Sequence, residues 1–200
     1  MSLIEDLTDS FNQIIESTQN NIDILGLILA VLFGVFILNI ILGHALFILG
    51  ITPRKSYGLL GIIFAPFLHA NFNHLFFNLI PLLVLADFIL IEGVDVFINV
   101  SVYIAFLSGL LTWCFGRSAI HIGASSVITG YWSYLVVNTY LQESVLGVIL
   151  GVICVYYFAG IFFGIFPQQK GVSWEGHLFG LIAGIIVNLA LQYFPILFIV

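Results

Sequence analysis

Residues 24–53 read ILGLILAVLFGVFILNIILGHALFILGITP, thirty consecutive positions without Lys, Arg, Asp or Glu. A helix rising 1.5 Å per residue needs about 20 apolar residues to cross a hydrocarbon core. Five further charge-free runs follow, at 56–86, 96–116, 118–142, 144–169 and 176–200, and each is long enough to cross. The 200-residue chain holds 4 Lys+Arg and 10 Asp+Glu, so 7% is charged while 62% is hydrophobic. Soluble domains are about 25% charged, and this little polar surface cannot cover so much apolar surface. An ordinary soluble domain is excluded, and so is nucleic-acid binding, which needs clustered cations. Strands would leave backbone groups unpaired in lipid, and the alternation of a barrel is absent. The expected fold is an all-α bundle of six transmembrane helices spanning residues 22–200.

Residues 1–21 differ. Ile4, Leu7, Phe11, Ile14 and Ile15 recur at helical spacing among Glu5, Asp6, Asp9 and Glu16, which reads as an amphipathic surface segment or a tail. Four acids and no cation among the first twenty residues do not resemble a cleaved signal peptide. In the second run Gly58, Gly61 and Pro66 break the helical pattern. The second helix is therefore expected from about Asn71, after an apolar loop over 51–68. Cys114 and Cys154 sit in apolar runs and read as small buried hydrophobes. Arg54, Lys55, Arg117 and Lys170 all fall on one side of the expected bundle. By the positive-inside rule that side faces the cytoplasm.

Polar residues at membrane depth carry the functional information. His69, His74 and Asn78 open helix 2, and His74 and Asn78, four apart, share a helical face. They serve equally as interhelical hydrogen-bonding glue. Gly123-Ala124-Ser125-Ser126 opens helix 4. Ser125 reads as an N-cap or as a nucleophile beside the helix amides, with Gly123 allowing the turn. Glu175-Gly176-His177 opens helix 6, and Gly180 and Gly184 form a close-packing GxxxG face. His177 reads as a packed polar residue or as a base for a serine. All three clusters lie at helix starts on one side of the membrane, which favours the joint catalytic reading.

These motifs resemble those of the rhomboid intramembrane serine proteases. His69, His74 and Asn78 match the family's His, His at +5 and Asn at +4. Gly123-Ala124-Ser125 matches its Gly-x-Ser-Gly, with Ser126 in the last place. His177, Gly180 and Gly184 match its helix-6 pattern, and Gly58, Gly61 and Ala65 through His69 look like the end of its first loop. The resemblance covers about residues 50–185. It implies an intramembrane serine endopeptidase using Ser125 and His177, with His74 and Asn78 stabilising the oxyanion. His69, Gly123, Gly180 and Gly184 take supporting places. The substrates implied are transmembrane segments of other proteins, and the location a plasma membrane, multi-pass. The implied topology, with a cytoplasmic N-terminus and a site opening outward, opposes the charge count.

No cofactor or metal is expected, since there is no His-Glu-x-x-His and Glu175 is the only acid near a histidine in sequence. No acid is placed to orient His177, which predicts a dyad. Asn71, Asn73, Ser118 and His121 are candidates for a polar mouth, while His44 is expected within helix 1. The alternative is a catalytically silent rhomboid-like protein that binds membrane helices, favoured by Ser126. A transporter is a weaker alternative, because no inverted repeat is visible.

Overall fold

The computed structural model describes residues 3–142, 144–166 and 173–194. Among these, six long helices follow the charge-free runs in order: α1 (Leu3–Ile41), α2 (Phe72–Leu90), α3 (Val94–Phe115), α4 (Ser125–Gln142), α5 (Val145–Phe163) and α6 (Trp174–Tyr193). Five of them are long and apolar enough to cross a bilayer. The exception is α4, which carries Ser125, Ser126, Thr129, Ser133, Asn138 and Thr139 over 18 residues. It occupies the centre, packed on α2, α3, α5 and α6. A helix with protein on every side needs no lipid-facing exterior, so it tolerates polar residues that an outer helix would not. The six apolar spans expected from sequence are thus five apolar helices around a more polar central one. Glu143 and Lys170 lie outside the described residues.

Residues 3–21, expected as a surface segment or tail, form the first half of α1, which runs unbroken for 39 residues. At 1.5 Å per residue such a helix is about 58 Å long, well beyond the thickness of a hydrocarbon core. Its N-terminal half is clasped to the far end of α2. Thr18 Oγ1 donates to Asp87 Oδ2 at 2.6 Å and Asn21 Nδ2 donates to Oδ1 at 3.0 Å. Both carboxylate oxygens of the buried Asp87 are thereby satisfied.

The segment between α1 and α2 is a chain of short helical turns, at Ala45–Leu49, Ser56–Leu60, Gly61–Phe64 and Ala65–Phe67. Pro66 is the second residue of the last of these, within the first turn, where its missing N–H costs nothing. Residues 50–52 thread closely past Gly58 and Gly61. A Cβ on either glycine would strike the backbone of Thr52 or Ile51. Ile51 pairs with His121 in an isolated antiparallel bridge, and the Gly123 N–H donates to the Ala65 carbonyl at 2.9 Å. The first loop is therefore stitched to the segment that precedes α4, which covers its non-helical backbone.

His44 departs from expectation. It lies beyond the end of α1, exposed, with φ of 68° and its ring stacked on Phe47. Arg54 donates to the carbonyls of Cys114 and Gly116 at 3.2 and 2.8 Å. Arg117 pairs with Glu175 at 3.5 Å. Two of the four cations thus tie loops together at the end of the bundle where α2, α4 and α6 begin.

Candidate active site

The first wall is built by α2. The Asn71 side chain caps the helix by accepting the His74 N–H at 2.9 Å. Starting there, the helix sets His74 and Asn78 one turn apart on a common face. His74 Nδ1 accepts a long hydrogen bond from the Ala70 N–H, 3.4 Å, which leaves the ring proton on Nε2. Asn78 Nδ2 is buried with no hydrogen-bond partner. Both side chains lean on Gly123. A Cβ there would lie 2.8 Å from His74 Nε2 and 3.6 Å from Asn78 Nδ2. The φ of Gly123 is 117°, a region that side chains rarely adopt, so glycine is required twice over. His69, 1% exposed, meets the His74 ring edge-on at 5.1 Å. Burial, then the charge of His74, lowers its pKa to about 4, so His69 is a neutral wedge behind His74.

The Gly123 turn leads into Ser125, the first residue of α4. The opening amides of a helix have no intrahelical acceptor, so they face whatever lies at its N-terminus. Thr129 Oγ1 donates back to the Ser125 carbonyl at 2.7 Å. The next residues meet α6 backbone to backbone. A Cβ on Gly180 would run into the Ser126 carbonyl, and one on Gly184 into Gly130 and Ser133. The small faces of the two helices therefore lock in register. His177, three residues before Gly180, is carried to the level of the start of α4.

The orientation of His177 comes from a residue that sequence reasoning missed. Its Nδ1–H donates to the Gly164 carbonyl at 2.8 Å, since a carbonyl only accepts. In the neutral ring Nε2 then holds the lone pair. Gly164 caps the C-terminus of α5, where carbonyls lack intrahelical partners, and a Cβ on it would collide with the His177 ring. A glycine thirteen positions upstream, in an apolar run with no motif spacing, carries no sequence signal for this role. Glu175 turns to Arg117 instead.

A cavity of about 870 Å³ is bounded by His74, Asn78, Ser125 and His177, with Asn71, Asn73 and His121 also on its wall. Ser118, assigned to the mouth by sequence, stands outside it, within 3.4 Å of Arg54. His121 is buried, and its Nδ1 lies 2.6 Å from Ser173 Oγ, on a serine that also caps α6. The Ser173 cap is legible in hindsight as Ser-x-Glu before an apolar run. Among the described residues, no group of three His, Cys, Asp or Glu is placed to hold a metal ion.

Fold and site together define a multi-pass, all-α membrane protein whose helix starts gather serine, histidine and asparagine around one cavity. A Rhomboid domain profile matches residues 56–194. The uncharacterized protein Rv1337 of Mycobacterium tuberculosis is 38% identical over 166 residues, covering 78% of this chain and 69% of the relative. The uncharacterized protein ML1171 of Mycobacterium leprae is 35% identical over 168 residues, covering 79% and 66%. The chain belongs to the rhomboid family.

Proposed function

We propose that the chain is an intramembrane serine endopeptidase that cleaves transmembrane segments of other membrane proteins through a Ser125–His177 dyad. Ser125 Oγ attacks the scissile carbonyl while His177 Nε2 takes its proton, because a serine hydroxyl is a weak nucleophile at its free pKa. The Ser125 backbone N–H, His74 Nε2–H and Asn78 Nδ2 donate to the oxyanion of the tetrahedral intermediate. His177 returns the proton to the leaving amine, and the acyl-enzyme forms. Water deprotonated by His177 then releases the acid and restores Ser125. The Gly164 carbonyl, at a helix C-terminus, favours the transient imidazolium. His69 braces His74, Gly123 admits His74, and Gly180 and Gly184 bring α6 against α4.

The observation that carries this reading is the convergence on one cavity of two complementary vacancies. One is the lone pair left on His177 Nε2 by its bond to Gly164, and the other is the buried, unpartnered donor of Asn78. Interhelical glue pairs its donors and acceptors with one another, whereas a reaction site leaves them for the substrate. The setting proposed is the plasma membrane, with α4 as a sixth crossing helix, the N-terminus cytoplasmic and the cavity opening outward. No cofactor enters the scheme.

Cleavage of a single-span substrate in liposomes, comparing wild type with Ser125→Ala, Ser126→Ala and His177→Ala, tests it. Activity should vanish with Ser125→Ala and His177→Ala and persist with Ser126→Ala. Undiminished cleavage by Ser125→Ala defeats the dyad. Ser126 in place of the motif's glycine favours a second reading, a silent protein that binds membrane helices. That reading gains if the wild type neither cuts nor reacts with serine-directed probes yet retains a transmembrane peptide.

A further inference from the structure

Two histidines and two serines of the cavity wall alternate along the chain, as His121, Ser125, Ser173 and His177. Ser125 opens α4 and His177 lies in the first turn of α6. Four residues before Ser125 stands His121, and four before His177 stands Ser173. We propose that the hydrogen bond between His121 and Ser173 is a clamp that positions Ser125 and His177 for reaction, a role resting on the dyad proposed above.

The proton positions follow from the partners. His121 Nε2 lies 3.0 Å from the Arg117 carbonyl, which only accepts, so Nε2–H donates there. Nδ1 of the neutral ring is then an acceptor, and the Ser173 hydroxyl donates to it at 2.6 Å. The same Oγ accepts the Gly176 N–H at 3.3 Å as the cap of α6. His121 is itself tied on both its backbone and its ring. Its backbone exchanges two 2.9 Å hydrogen bonds with Ile51, and its side chain is 5% exposed. A buried, doubly bonded ring on the nucleophile's side therefore grips the cap of the helix that carries the base. The neighbouring tie, Arg117 to Glu175, spans 3.5 Å between a half-exposed guanidinium and a buried carboxylate, and it joins the same two segments.

The first turn of a helix is where its position is least determined by its own hydrogen bonds. His177 sits in that turn, and a displacement of about 1 Å at reacting groups costs about a hundredfold in rate. Gly180 and Gly184 fix α6 against α4 lower down, and the clamp fixes it one turn above the base.

Ser173→Gly separates the two jobs of this serine, because glycine is only slightly poorer as an N-cap yet lacks the hydroxyl. Ser173→Thr keeps both jobs. The full chain in detergent is assayed for fluorophosphonate labelling of Ser125, for kcat and KM on a single-span substrate, and for thermal unfolding. Ser173→Gly and His121→Phe should each lower the labelling rate and kcat about tenfold, the effect of one lost hydrogen bond. KM should hold, unfolding should shift by only about 2–4 °C, Ser173→Thr should stay near wild type, and the double variant should lose no more than the worse single. Wild-type rates in Ser173→Gly, losses that multiply in the double variant, or equal losses in Ser173→Thr and Ser173→Gly overturn the clamp. A wild type that does not label at Ser125 defeats the dyad itself and the clamp with it. Normal labelling with an unaffected Ser173→Gly defeats the clamp alone.

Discussion

The Gly164 carbonyl, at the end of α5, accepts the Nδ1–H of His177 in α6 at 2.8 Å, and there is no space between them for a side chain. The bond selects the tautomer and aims the ring, the task an acid performs in a triad. Gly164→Ala should therefore lower kcat about a hundredfold by pushing the imidazole aside, with KM and unfolding little changed. Steady-state kinetics in detergent, with circular dichroism as the control, decide the matter. An unaltered kcat would place the orienting role elsewhere.

The oxyanion donors proposed above, His74 and Asn78, give a second expectation. Removing one such donor costs about 10²–10³ in kcat. Asn78→Ala and His74→Ala should each fall in that range. Gly123→Ala should match them, because its Cβ displaces the His74 ring while straining a backbone at φ 117°. Substrate binding in the inactive Ser125→Ala background should survive all three, which distinguishes lost transition-state stabilisation from a collapsed cavity.

Helix packing is tested by glycines of opposite surroundings. Gly184→Ala drives a methyl into Gly130 and Ser133 and should destabilise the fold by about 1–3 kcal/mol, as overpacking does. Gly26 in α1 has open space around it, so Gly26→Ala should be neutral or stabilising by up to ~1 kcal/mol through helix propensity. Unfolding of the two variants in mixed detergent compares them directly.

The pH dependence of stability has two opposed contributors. Glu92, between α2 and α3, is held by Tyr134 Oη at 3.0 Å and Asn138 Nδ2 at 2.6 Å, yet burial raises its pKa to about 7. Between about 4.5 and 7 the folded state keeps this proton while the unfolded chain has lost it, so its contribution falls as pH rises. His69 acts in reverse. Its pKa is lowered to about 4 from 6.5, so the unfolded chain holds the extra proton and stability rises with pH through that window. Melting curves of Glu92→Gln should rise more steeply with pH than those of wild type between about 4.5 and 7, and run parallel above. Parallel curves throughout would show that Glu92 titrates normally.

Much of the candidate site was legible because its chemistry is discordant with its surroundings. Ser125, His177, His74 and Asn78 stand out in apolar runs, and their helix-start positions follow from glycine, proline and charge placement. Gly180 and Gly184 could be read as a packing face, though only the structure names Ser126, Gly130 and Ser133 as what they pack on. The N-terminal segment reads from sequence as an amphipathic helix, but an amphipathic pattern does not name what the apolar face packs on. In the structure Thr18 and Asn21 hydrogen-bond to Asp87 of α2.

The sequence by itself determined that this chain is a helical membrane protein, because 62% hydrophobic residues in charge-free runs have no other stable disposition in water or lipid. It also determined the order and spacing of the polar motifs, which are local properties of single helices. The tertiary structure alone decided what meets what across long sequence distances. It put the Gly164 carbonyl on His177, His121 on Ser173, and the polar α4 at the centre of the bundle. A backbone carbonyl has no residue signature, and an interhelical hydrogen bond has no sequence period. Both exist only once packing brings the helices together.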